Sequence, residues 1–461
     1  MKTTTWLLAA WLLLALVAVH QRGYDSATPV SRLNLLQELV GRGTLNIDRV
    51  HQNTPDKAYF GGHYYSDKAP GTAALALPAY AAAARVAGWR GVDLDGSAGK
   101  KLVSWAACAF SQALPAALGG AAVLAWLNLF VRRRAGLLAV LGLTLGGLAL
   151  PYSTLLFSHA QVIGLIGIAI WASGLFCPGL MEATGGPGPS TREAGRGRMA
   201  LAGLCLGLAL ASEYTAGIVV LGIGLELVLR EWRRGPDLGG AGGHAGSAIA
   251  RAGADRWRPA LACGLGALPP LLLIPAYSWA TIGSPFELPY SYQASFAPMK
   301  EGLYAIKWPD AENLGRLLIG PTRGLIFWTP FLIMAGFGWW WIAKERPRWL
   351  WLTYAVPVLH MLVISGRVWD WQAGYTISAR YMAPIIPLLA LPCAIGTQRW
   401  PKLGATLALV SIGLMTLATI TDACPDSDRC YLDKQRKCEG MLHAERHGWR
   451  AGCDNIDVGD P

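Results

Sequence analysis

Apolar windows of bilayer length recur along the whole chain, broken by short polar segments. The first covers residues 4–20, "TTWLLAAWLLLALVAVH". Others fall at about 104–130, 136–151, 158–176, 199–212, 215–229, 259–279, 324–342, 349–365, 382–398 and 403–421. Roughly 20 apolar residues cross a bilayer as a helix. The pattern therefore predicts an all-α polytopic membrane protein with about 11 transmembrane helices. The run at 74–89, mainly Ala and Leu, is short for a span and reads as an interfacial or re-entrant helix. After the first window comes "QRGYDSATP", which lacks the small-residue cleavage pattern of a signal peptide, so that window reads as an anchored span.

Composition agrees with the pattern: 53% of the residues are hydrophobic, 15% are charged, and mean hydropathy is +0.34. A soluble protein carries about 25% charged residues. The net charge of +11 is read loop by loop and gives no reason to expect nucleic acid. With the N-terminus inside, segments 1–4, 131–135, 177–198, 230–258, 343–348 and 399–402 are cytoplasmic. They contain "VRRR", "REWRR" and "AKERPR" and hold 18 of the 40 Lys and Arg in about 70 residues. Their basic density is about twice that of the other loops, as the positive-inside rule requires. Residues 21–103 then form a large external first loop carrying interfacial helices, within a transmembrane domain 1–421. The tail 422–461 is external, and the location expected is a bacterial-type inner membrane.

Chemistry-bearing residues gather on the external side. Lys68, Arg323 and Arg380 lie at the outer membrane boundary, where three cations suit an anionic lipid phosphate; each alone would pass for a snorkelling side chain. Asp25, five residues beyond the first window, can take a proton from an acceptor hydroxyl or amine, or serve as a turn or cap residue of "DSATP". His159 and Glu213 are ionisable groups at membrane depth; they mark a water-filled cavity or an interhelical hydrogen bond. In the tail, Cys424, Cys430, Cys438 and Cys453 could close two disulfides in an oxidising compartment. A zinc site with His443 or His447 is the competing reading, and the spacing matches no standard zinc pattern. No nucleotide-binding loop is present, no metal ligand set is assigned, and a divalent-metal requirement is left open.

The order of motifs resembles the C-type integral-membrane glycosyltransferases, in the branch of protein O-mannosyltransferases and the lipid A aminoarabinose transferase. There an acid follows the first span, then an amphipathic helix, then "G-x-x-Y-x-D-K-P-P". Here these are Asp25, "LLQELVGRGTLNID" and "GGHYYSDKAPG". "SARYMAPIIPLLALP" resembles the late "GxRYxxPxxPxLxLL", and "LFSHA", "SEYTAG" and "GPTRGLIFWTP" resemble landmarks of bacterial members. The resemblance implies the C-type fold and inverting sugar transfer from a polyprenyl-phosphate donor to a lipid, glycan or protein acceptor. It makes Asp25 the catalytic base or acceptor-orienting acid and Lys68 a holder of the donor phosphate. Tyr64, Tyr65, Asp67, His159, Glu213 and Tyr381 become substrate-binding or orienting residues. Relatives show paired acids where this chain has "YDS", and "DKPP" becomes "DKAPG". A transporter or flippase for a lipid-linked intermediate is the alternative from another class. It would place ionisable groups near the midplane and show repeated halves.

Overall fold

The computed structural model describes residues 3–18, 26–176, 195–234, 257–296, 306–321, 323–367, 371 and 377–421. Asp25 and the four tail cysteines lie outside these. In chain order the principal elements are α1 (Thr3–Ala18), α2 (Ala27–Arg42), β1 (Lys57–Phe60), β2 (His63–Ser66) and α3 (Gly71–Trp89). Then come α4 (Ser97–Leu127), α5 (Arg133–Thr144), α6 (Ala149–Ser153), α7 (His159–Ser173), α8 (Arg196–Ser212) and α9 (Gly217–Arg234). The remainder are α10 (Arg258–Ile282), α11 (Ala311–Ile319), α12 (Ile333–Glu345), α13 (Pro347–Ser365), α14 (Arg380–Arg399) and α15 (Pro401–Thr421).

Each apolar window of the sequence coincides with a helix or a broken pair of helices. Five helices, α4, α10, α13, α14 and α15, are long and apolar enough to cross a membrane, and α1 and α7 are shorter apolar helices. The window at 136–151 breaks into α5 and α6 around Gly146 and Gly147, just after Thr144 turns its hydroxyl back onto the Val140 carbonyl. The helix α3 is not among the five. Its Ala73, Ala76, Tyr80 and Ala84 pack with Leu33 and Leu36 of α2 and Val103 and Ala107 of α4 in a second core beside the main bundle. Along α10, Leu261, Leu265, Leu268, Leu272 and Trp279 are exposed. Apolar side chains on a bundle exterior belong against lipid tails.

Contacts between helix termini sort the bundle into two ends. At one end the first residue of α7, His159, lies beside Glu213 at the close of α8 and Tyr381 at the start of α14. At the other end Arg230 and Arg198 donate to the carbonyls of Ser173 and Trp171 in the last turn of α7. There too the backbone N–H of Arg132 donates to Gln398 Oε1 near the close of α14, and Trp349 meets Phe130 edge-on and stacks on Phe176. Arg132, Arg198 and Arg230 therefore share the end opposite His159 and Glu213.

The β1–β2 hairpin is the sole sheet among the described residues, and the helical reading of the sequence did not foresee it. "KAYF" and "HYYS" are aromatic-rich four-residue strands. Gly61 and Gly62 join them, both at positive φ (61° and 86°), as a two-residue hairpin turn demands.

Candidate active site

The hairpin explains how distant acids meet. Its register pairs Lys57 with Ser66, so the next step of the ladder sets Asp56 opposite Asp67. Lys68 follows at once. Its Nζ lies 2.9 Å from Asp56 Oδ2 and 3.3 Å from both Asp67 oxygens. Thr28, in the first turn of α2, donates to Asp56 Oδ2 at 2.6 Å. The Tyr290 ring covers the ammonium at 5.2 Å. All three ionisable side chains are buried, Asp67 completely.

Burial and charge act differently on the two carboxyls. Burial pushes Asp67 up to about 6, with Lys68 opposing it and Asp56 adding to it. Burial would also raise Asp56, but the Lys68 ammonium and the Thr28 hydroxyl outweigh it and hold Asp56 below the usual carboxylate range. Lys68 feels burial in the opposite sense, and its two carboxylates lift it well above its ordinary value. Asp56 is thus the firm counter-ion and Asp67 the loosely held one.

Further hydrogen bonds lock this unit in place. Ser31 and Ser66 share a hydrogen bond of 2.8 Å, and Tyr277 of α10 donates to the Ser66 carbonyl at 2.8 Å. Gln293 donates to the Pro55 carbonyl at 3.0 Å. Thr72, in the first turn of α3, donates to Gln161, and Gln161 donates to Ser212 at the end of α8.

A second charged group adjoins the first. Glu213 accepts from Ser158 at 2.6 Å and Thr215 at 3.1 Å, with His159 Nδ1 3.8 Å away. Arg380 lies over the Phe157 ring at 4.5 Å and the Tyr381 ring at 5.3 Å, and Arg367 lies over the other partner of that pair, Tyr381, at 4.8 Å. His360 Nε2 meets the Tyr381 carbonyl at 2.7 Å. Arg32, only 3% exposed, donates to the Leu156 carbonyl at 3.0 Å. It is within electrostatic reach of Glu213, Tyr290, Arg380 and Asp56, which joins the two groups into one site.

Of the residues singled out in the sequence, Asp67, Lys68, His159, Glu213, Arg380 and Tyr381 come together here. Tyr64 faces elsewhere: it stacks on His51 at 3.8 Å, and its N–H donates to Asp48. Tyr65 lies edge-on to His63, which pairs with Asp48 at 2.7 Å. Arg323 is buried in the turn ahead of the Leu325–Trp328 helix. In the sequence Asp56 is one of several acids in the external loop 21–103, and nothing there marks Arg32 or Tyr290 as part of a site. The Gly61–Gly62 pair between aromatic runs was the available signal for Asp56, because a hairpin centred there pairs it with Asp67. Among the described residues no group of three or more His, Cys, Asp or Glu is arranged to hold a metal ion.

Among solved structures, the chain is similar to ArnT from Cupriavidus metallidurans bound to undecaprenyl phosphate. The TM-score is 0.50 at 16% identity, over 97% of this chain and 73% of that one. The chain has the C-type glycosyltransferase fold. It is also similar to apo ArnT from the same organism (TM-score 0.47, 15% identity, 87% of this chain and 62% of that one). A third similarity is to the Archaeoglobus fulgidus oligosaccharyltransferase in complex with Zn and sulfate (TM-score 0.47, 12% identity, 95% of this chain and 57% of that one). The chain spans less than two thirds of the apo ArnT and oligosaccharyltransferase chains. No family model and no curated protein matches it. Within the C-type fold, the Lys68 cluster sits at the end of the bundle away from Arg132, Arg198 and Arg230.

Proposed function

We propose that this chain transfers a sugar from a polyprenyl-phosphate donor to a lipid, glycan or protein acceptor at the outer face of the membrane. The observation that carries the reading is the buried Lys68, set between two carboxylates at one end of the bundle beside Arg32 and Arg380. A fixed, dry set of cations stabilises charge as it develops on a leaving phosphate. In the proposed step an acceptor oxygen or nitrogen bonds to the anomeric carbon. The bond from that carbon to the phosphate oxygen breaks, and its electron pair stays on the phosphate. Lys68 and Arg380 face that charge, and Asp25 takes the acceptor's proton. The positive-inside rule favours a cytoplasmic Arg132, Arg198 and Arg230 end, which supports an external site. Gathering of the charged groups at one end, and not at the midplane, favours group transfer over transport.

The test is binding and turnover measured separately on detergent-purified protein. Lys68→Ala should weaken undecaprenyl phosphate binding about tenfold or more, the scale of a lost hydrogen bond to a charged group, and lower turnover with it. Asp25→Asn should lower transfer by about 10²–10⁴, as loss of a general base does, and leave that binding nearly intact. Unchanged undecaprenyl phosphate affinity in Lys68→Ala would overturn the phosphate assignment.

A further inference from the structure

The Lys68 ammonium is already engaged before any donor arrives. Asp56 holds it at 2.9 Å and takes a second hydrogen bond from Thr28 at 2.6 Å. Asp67 holds it less closely, at 3.3 Å, and Asp67 Oδ1 accepts no hydrogen bond. A phosphate oxygen reaching Lys68 therefore takes the place of Asp67. That leaves a wholly buried carboxylate beside a new anion, and a buried charge without a counter-ion neutralises by taking a proton.

The surroundings offer Asp67 a hydrogen bond from the Gln293 side chain but no second cation. Asp56 and Lys68 face it from the hairpin ends, Tyr277 from α10, and Tyr290 and Gln293 from the 289–293 turn. Arg380 acts on Asp56, the acid on the other side of the ammonium. His51 and His63 are occupied with Tyr64 and Asp48 on the hairpin.

We propose that Asp67 takes up a proton when a phosphate oxyanion docks on Lys68, so that donor binding is coupled to uptake of one proton. This rests on the donor-phosphate reading above and gives Asp67 a task in the reaction. A polyprenyl-phosphate sugar is a phosphodiester with one negative charge. When the anomeric carbon–oxygen bond breaks, the electron pair left on oxygen would give the phosphate a second charge. The proton on Asp67 moves to that oxygen, polyprenyl hydrogen phosphate leaves, and Asp67 returns to the carboxylate that holds Lys68. The acceptor's own proton leaves separately, through the general base.

The experiment is calorimetric titration of the purified full chain with undecaprenyl methyl phosphate, a phosphodiester whose own charge is constant from pH 5 to 8. Repeating it in buffers of different ionisation enthalpy counts the protons taken up. The burial that pushes Asp67 up to about 6 sets the window: uptake close to one proton at pH 7.5, falling away towards pH 5. Affinity should then drop about tenfold per pH unit between 6.5 and 8, the linkage slope of a single proton. Asp67→Asn should bind with no uptake and a flat profile. Binding by the native chain without uptake, or uptake that persists in Asp67→Asn, overturns the inference and leaves the phosphate site standing. Absence of binding at every pH overturns both.

Discussion

A methyl group on Gly71 would sit 2.6 Å from Ser212 Oγ and 2.7 Å from the Ala211 backbone. The chain leaves Lys68 through Ala69 and Pro70 and enters α3 with no room for a side chain against the end of α8. Gly71→Ala should therefore cost about 1–3 kcal/mol, the range for overpacking, read as a lower thermal midpoint in detergent. An unchanged midpoint would show that the two segments separate freely. At this scale the sequence was partly legible. "SDKAPG" marks Asp67 and Lys68 because a buried ion pair needs both signs close together. Arg32 was not legible, since a charge on an amphipathic helix reads as solvated, and here it turns inward to the Leu156 carbonyl.

Helices declared themselves through apolar runs, and every window in the sequence became helix. What the runs did not convey is where a helix breaks, as between α5 and α6, because hydroxyl back-bonding is short-range and leaves hydropathy unchanged. Nor did they show which helix supports the hairpin. Besides α2, that support comes from α10, whose leucine-rich face is exposed yet which is joined to the Ser66 carbonyl through the Tyr277 hydroxyl. Tyr277→Phe keeps the ring and removes the donor to a buried carbonyl. It should cost about 1–3 kcal/mol and weaken undecaprenyl phosphate binding, because Ser66 adjoins Asp67. Loss of stability with full binding affinity would show that the hairpin keeps its geometry without α10.

At the scale of the whole molecule, the loop charges set Arg132, Arg198 and Arg230 on one side, and the contacts between helix ends bring these three to one end of the bundle. Opposite labelling of two exposed positions tests the orientation. A membrane-impermeant thiol reagent should modify Ser97→Cys in intact cells and Glu345→Cys only after permeabilisation, each mapped by mass to its own site. The reverse pattern would turn the molecule over and put the Lys68 site in the cytoplasm.

The register of the hairpin also limits how this sequence can drift. Asp56 and Asp67 stand equally far from the Gly61–Gly62 turn, so a residue gained in one strand alone would slide the acids out of opposition. One gained in each strand would keep them opposed but send both to the other face, since side chains alternate. Length variants that keep Lys68 between two carboxylates must therefore add or lose two residues per strand. Descendants of this chain should vary the spacing between these acids in steps of four, with the turn always at its centre.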